Sequence, residues 1–206
     1  MHAVRDPRID FFENLAKHWD RDGQSPDETV ERVGQLADLL SLVPGQTILE
    51  VGCGTGQLTG WLAEQVAPGR VVAIDFAPAM VAQAQAKGIP AEFRIADVCQ
   101  EAPGLRCYDL ALCFHSFPHF RDRHAALLNL GRALKPGGRL LVMHLCGSAA
   151  INAFHTGVGG AVAGDHLPDA AEWPPLLDAA GLKLVSLTDR DDLFLMEAVT
   201  ESGPGD

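Results

Sequence analysis

A chain of 206 residues can bury one substantial core, and 47% hydrophobic with 21% charged residues is an ordinary globular mixture, which argues against disorder. Lys and Arg number 16 against 27 Asp and Glu, a formal charge of −11 with no basic cluster, so non-specific binding to nucleic acid, which needs a cationic footprint, is not expected. The five cysteines (Cys53, Cys99, Cys107, Cys113 and Cys146) are odd in number, scattered and without a C-x-x-C pair, which speaks against a disulfide framework or a structural zinc knot. Residues 1–12 have no signal-peptide core and no apolar run approaches the roughly 18 residues of a membrane span, so a cytoplasmic protein without a membrane partner is expected.

Along the chain, Ile9, Phe12, Leu15, Ala16 and Trp19 recur near helical spacing and predict an amphipathic helix over residues 7–20. A second helix is expected over 26–42. Ser25 stands at its N-cap, Pro26 at its first position and Glu28 three residues after the cap. Pro44-Gly45 then breaks the chain, and a strand–loop–helix rhythm begins. Strands are expected at 48–51, 70–74, 92–96, 108–114 and 139–144, with helices at 57–66, 78–87 and 121–134. Near-continuous apolar strands alternating with helices imply a parallel sheet covered on both faces. After Cys146 the rhythm fails: residues 147–169 read as a loop with one short helix, followed by a helix at 172–180. Strands at 182–187 and 193–200 are joined too briefly for a parallel crossover, so they must pair antiparallel. The tail from residue 201 is expected to fray.

The run Glu50-Val51-Gly52-Cys53-Gly54-Thr55-Gly56 ends a strand in three alternate glycines and leads into a helix. Glycine permits a sharp turn and close approach of a ligand, and a helix N-terminus offers unpaired N–H groups. The arrangement suits a nucleotide phosphate or, equally, the carboxylate of an amino acid. A dinucleotide G-x-G-x-x-G would need glycine where Gln57 or Thr59 stands, and no lysine follows to make a P-loop. Asp75 ends the second strand, where a carboxylate can accept two hydrogen bonds from a ribose diol. Asp97 ends the third, where it can accept from an adenine amino group. Either acid alone can merely cap a turn. In succession, at the strand ends where open α/β sheets bind ligands, they outline a nucleoside site.

The stretch from Thr47 to His144 resembles the core of class I S-adenosylmethionine-dependent methyltransferases, especially the group that includes ubiquinone- and menaquinone-pathway enzymes. The matching pieces are the glycine run, Ile74-Asp75-Phe76-Ala77-Pro78-Ala79-Met80, Ala96-Asp97 and Leu134-Lys135-Pro136-Gly137-Gly138-Arg139-Leu140. The resemblance implies a Rossmann-like α/β fold: a seven-stranded mixed sheet in the order 3-2-1-4-5-7-6, strand 7 antiparallel, with helices on both faces. It implies one domain over 1–206, with a helical cap (1–44), a cofactor-binding core (45–146), and an acceptor-side insertion plus final strand pair (147–206). S-adenosylmethionine is the implied cofactor and S-adenosylhomocysteine the product. Gly52, Gly54 and Gly56 would bed the methionine portion, with Glu50 supporting the loop or the amino group. Asp75 would hold the ribose, Phe76 and Met80 would face adenine, and Asp97 and Val98 would lie at its edge. Cys53 and Phe114 complete the expected cofactor-binding set, although Phe76 and Met80 equally suit plain core packing.

Methyl transfer to a small-molecule acceptor is an in-line displacement that needs alignment and, where the acceptor carries a proton, its removal. The acceptor is expected beyond strands four and five, and six of the eight histidines lie between His115 and His166. His115 is the first candidate base because imidazole titrates near neutrality, with His119 and His144 next. His115 and His119 have helical ligand spacing, but Pro118 lies between them and no metal is expected. Phe12 and Trp19 are placed to close a lid over the cofactor, unless that helix meets a second copy. The rival readings are a non-catalytic cofactor-binding or regulatory protein on the same fold and, against the glycine spacing, a nicotinamide-dependent oxidoreductase.

Overall fold

A computed structural model describes residues 6–23 and 25–201. Its strands are β1 (Thr47–Val51), β2 (Arg70–Asp75), β3 (Glu92–Ile95), β4 (Tyr108–Phe114), β5 (Leu134–His144), β6 (Leu182–Arg190) and β7 (Leu193–Thr200). They form a 7-stranded sheet in the order β3-β2-β1-β4-β5-β7-β6. Pairings from β3 to β5 are parallel, whereas β7 runs antiparallel to both β5 and β6, as the sequence predicts. Arg190 pairs with Leu193, so the hairpin turns on Asp191 and Asp192 alone.

The sheet is buried on both faces because its strands are apolar at successive positions. Leu49, Val51, Ala111, Cys113, Leu140 and Val142 join one core cluster; their neighbours Ile48, Leu110, Leu112, Leu141 and Met143 join the other. The first core lies beneath α7 (Arg123–Ala133) and α9 (Trp173–Asp178), the second beneath α3 (Pro26–Gly34) and α5 (Thr59–Val66). A third, smaller cluster joins α1 (Pro7–Leu15) to α6 (Pro78–Ala86) through Phe12, Ala16, Ala77 and Met80. No helix among the described residues is long and apolar enough to cross a membrane.

Strands β5 and β6 run longer than expected, β5 from Leu134 and β6 to Arg190, and three helical segments differ more. The helix predicted over 7–20 is two, α1 and α2 (Trp19–Asp22); the break lets the Trp19 ring meet Phe12 edge-on at 5.9 Å. The helix predicted over 26–42 starts where expected, with Ser25 Oγ accepting from Glu28 N at 3.2 Å. It stops at Gly34, a poor helix former, and resumes only as the short α4 (Ala37–Leu40). The segment read as a loop with one short helix contains the 11-residue α8 (Ser148–Val158). Its first turn is held by Asp189 of β6, which accepts from Ser148 N at 2.9 Å and Ser148 Oγ at 2.5 Å. A cap borrowed across 41 residues has no local signature.

Candidate active site

The strand end, the loop and the two acids form one interlocked unit. Gly52, Gly54 and Gly56 have φ of 72°, 55° and 77°, the left-handed region that disfavours a Cβ, yet each is glycine for a different reason. A Cβ on Gly52 would sit 2.4 Å from the Ser116 Cβ, while one on Gly56 would press Ala84 and Ile89 at 3.2 and 3.3 Å. A Cβ on Gly54 would meet only Trp19 Nε1 at 3.9 Å and would project into open space. Asp75 braces the loop: Oδ2 accepts from Gly54 N at 2.9 Å and Oδ1 from Ala77 N at 2.8 Å. Each oxygen keeps a lone pair for a further donor. Beneath them Glu50 accepts from Thr59 Oγ1 at 2.5 Å, tying β1 to the first turn of α5. Burial raises both carboxyls, Glu50 to about 7, with Asp75 adding to the shift, and Asp75 to about 6.

Between the loop and the N-terminal helices lies a cleft with about 680 Å³ of free space, counting its open mouth. Gly52, Gly54 and Asp75 line it, as do Phe76 and Met80, which pack with Phe12 and Trp19, the Phe12 and Phe76 rings 5.8 Å apart. Asp97 and Val98 close one end. Asp97 also caps the turn after β3, accepting from Cys99 N and Gln100 Nε2 at 2.8 Å each and pairing with Arg121 at 3.1 Å.

Five candidates stand off the cleft wall: Glu50 beneath the loop, and Gly56, Cys53, Phe114 and His144. Gly56 packs against α6, and Cys53 and Phe114 pack with the core beneath α5. His144 is 2% exposed, behind His115 with ring centroids 5.0 Å apart, and its Nε2 has no hydrogen-bond partner among the described residues. Burial holds its pKa well below the usual imidazole range.

His115 does line the cleft. It is bound into the wall, with its Nε2 accepting from Leu145 N at 3.4 Å, and burial lowers its pKa to about 4. His119, on the 3-10 turn after β4, also lines the cleft and sets Nδ1 2.8 Å from Asp165 Oδ2.

Sequence reasoning missed Asp20, Ser116 and Asp165. Asp20 accepts from Thr55 Oγ1 at 2.5 Å and Gln57 Nε2 at 3.0 Å and pairs with Lys87 at 2.7 Å, fastening α2 to the glycine loop. Asp165 lies in the segment read as loop, where nothing local marks one acid from another.

Comparison with known proteins agrees with this geometry. Residues 48–138 match the family model described as a methyltransferase domain. The ubiquinone biosynthesis O-methyltransferase of Xanthomonas euvesicatoria pv. vesicatoria is 34% identical over 164 residues, 74% of this chain and 66% of that protein. The chain belongs to the class I S-adenosylmethionine-dependent methyltransferase superfamily. Phosphoethanolamine N-methyltransferase 3 of Arabidopsis thaliana is 29% identical over 170 residues, 81% of this chain but 34% of that protein, so the chain spans about a third of such plant relatives. Among solved structures, the magnesium protoporphyrin IX methyltransferase of Synechocystis PCC 6803 with bound S-adenosylhomocysteine superposes with a TM-score of 0.68 and 21% identity, covering 95% of this chain and 98% of that one. The cofactor of this superfamily, S-adenosylmethionine, suits the site: an open face at Gly54, spare carboxylate lone pairs on Asp75 and an apolar wall match an adenosyl amino acid.

Proposed function

We propose that the protein transfers the methyl group of S-adenosylmethionine to a small-molecule acceptor by in-line displacement. The observation that carries this reading is the cleft itself, open at the carboxyl ends of β1, β2 and β4, with Gly54 uncovered and Asp75 and His119 on its wall. Gly52 and Gly54 bed the methionine portion, Glu50 supports the loop from below, and Asp75 receives the ribose hydroxyls. Phe76 and Met80 flank the adenine, with Asp97 and Val98 at its edge. The bound cofactor supplies a sulfonium-activated methyl group; the chain orients it, excludes water and takes the acceptor proton. His119 serves that last role better than His115, whose Nε2 is already an acceptor within the protein.

The relatives named above methylate oxygen in one case and nitrogen in the other, so the acceptor panel must contain phenols, alcohols and amines. We place the protein in the cytoplasm, on the scatter and odd number of its cysteines. Calorimetry should find one S-adenosylhomocysteine per chain, and Asp75→Ala should weaken it at least about tenfold, roughly 1.4 kcal/mol. Incubation with methyl-labelled cofactor and the panel should yield labelled product. Cofactor binding without turnover on any acceptor would favour the non-catalytic reading, and no cofactor binding at all would overturn both.

A further inference from the structure

His119 does not stand alone. Asp165, 1% exposed, receives two groups at once: His119 Nδ1 at 2.8 Å from Oδ2, and the Arg8 guanidinium, with Nε at 2.9 and 3.0 Å and Nη2 at 2.5 Å. His155 Nδ1 meets the Asp165 main-chain oxygen at 2.5 Å, and its ring lies 4.7 Å from that of His119. The Phe12 ring packs edge-on against His119 at 4.9 Å from the other side. Burial alone would raise the Asp165 carboxyl, but the bonds from His119 and Arg8 outweigh it and hold the group below the ordinary carboxylate value. The acid is therefore an ionised acceptor, and a neutral imidazole beside it carries its proton on Nδ1. That leaves Nε2 as the basic nitrogen. No hydrogen bond within the protein engages Nε2 among the described residues, and the ring lines the cleft.

Resting on the reading of the chain as a methyltransferase, we infer that Asp165, clamped by Arg8, is the positioning residue that makes His119 a general base, and that the acceptor belongs to the class with a proton to lose: a hydroxyl, a protonated amine or a thiol. In the step, the acceptor X–H bond breaks as its proton passes to His119 Nε2. The X–CH3 bond forms while the methyl–sulfur bond breaks, and sulfur keeps the electron pair as a neutral thioether. The imidazolium is left facing the Asp165 carboxylate and later returns its proton to water. Three parts of the chain distant in sequence make the device: Arg8 of α1, the turn after β4, and the segment that follows α8. The titratable or charged groups around the His119 ring are Asp165 and His155 from α8 and the segment after it, Asp6 and Arg8 from the N-terminal segment, and Asp75, His115 and His144 from the sheet ends.

The test begins with the unaltered protein. Long-range 1H–15N correlation on the histidine-labelled full chain with S-adenosylhomocysteine, at about pH 8.5, where an ordinary imidazole is neutral, reads which nitrogen of His119 carries the proton; His119→Gln assigns the signal. The expected form is Nδ1–H, and an Nε2–H tautomer overturns the inference. Asp165→Asn, whose amide can donate to Nδ1, should turn the tautomer over and lower kcat on a proton-bearing acceptor by about 100-fold or more. The rate is read at saturating cofactor, and Asp165→Glu should regain part of it. Equal kcat in the Asn variant also overturns the inference. Loss of cofactor binding by the unaltered protein would instead defeat the methyltransferase reading beneath it. Should the Asn variant fail to fold, the tautomer of the native protein still decides.

Discussion

The three glycines of the loop answer to three neighbours, and substitution should separate them. Gly52→Ala forces a Cβ to 2.4 Å from the Ser116 Cβ in addition to the left-handed strain, whereas Gly54→Ala bears the strain alone, about 1–2 kcal/mol. Chemical denaturation should therefore show Gly52→Ala as the more damaging, and adding Ser116→Gly should recover part of the difference. Equal losses at the two positions would sink the steric argument. Glu50 and Asp75 make a second residue-scale statement. Their folded pKa values, about 7 and about 6, lie above the ordinary 4.5 and 3.8, so the folded chain binds the extra protons. Their favourable contribution is present below about pH 4 and is lost as pH rises through 6 to 7. Glu50→Gln should accordingly gain stability over the native chain at pH 8, by up to about 3 kcal/mol, with the gain vanishing near pH 4. A gain independent of pH would refute the assignment.

At the scale of elements, α1 and α2 form a strap across the cleft proposed to hold the cofactor. It is fastened at one end by Arg8 on Asp165 and at the other by Asp20 on Thr55 and Lys87, and Phe12 packs between. Phe12 packs in the small third cluster rather than in either main core, and the end fastenings are polar, so the strap should open without unfolding the sheet. Phe12→Ala should speed amide exchange throughout α1 and weaken S-adenosylhomocysteine by at least about tenfold. Exchange in β1 and β4 should stay unchanged. Faster exchange in the sheet as well would mean the strap is part of the global core.

For the whole molecule, Trp173 is the joint. It is fully buried on α9, with its ring 4.9 Å from Phe117, on the turn that carries His119, and 6.1 Å from Phe194 of β7. Trp173→Ala should cost roughly 3–5 kcal/mol by thermal or chemical unfolding. The indole N–H has no hydrogen-bond partner among the described residues, so Trp173→Phe, which removes that unsatisfied donor while keeping an aromatic ring, should cost less than half as much. A Phe variant as weak as the Ala variant would show that the indole makes a bond.

The chain order of strands, the antiparallel final pair and the glycine loop were legible in the sequence because each rests on local chemistry: apolar runs, turn residues, caps and spacing. Gly54 and Asp75 were readable for the same reason, since strand ends in such a sheet converge on one edge, whereas Phe76 and Met80 were suggested only by the family resemblance. What the tertiary structure alone decided is which candidates face the cleft. His115, His119 and His144 look alike as letters, yet one accepts a bond within the wall, one is sealed behind it and one meets a buried acid 46 residues away. Burial and long-range hydrogen bonds set the protonation and reach of an imidazole, and neither is a property of its sequence neighbours.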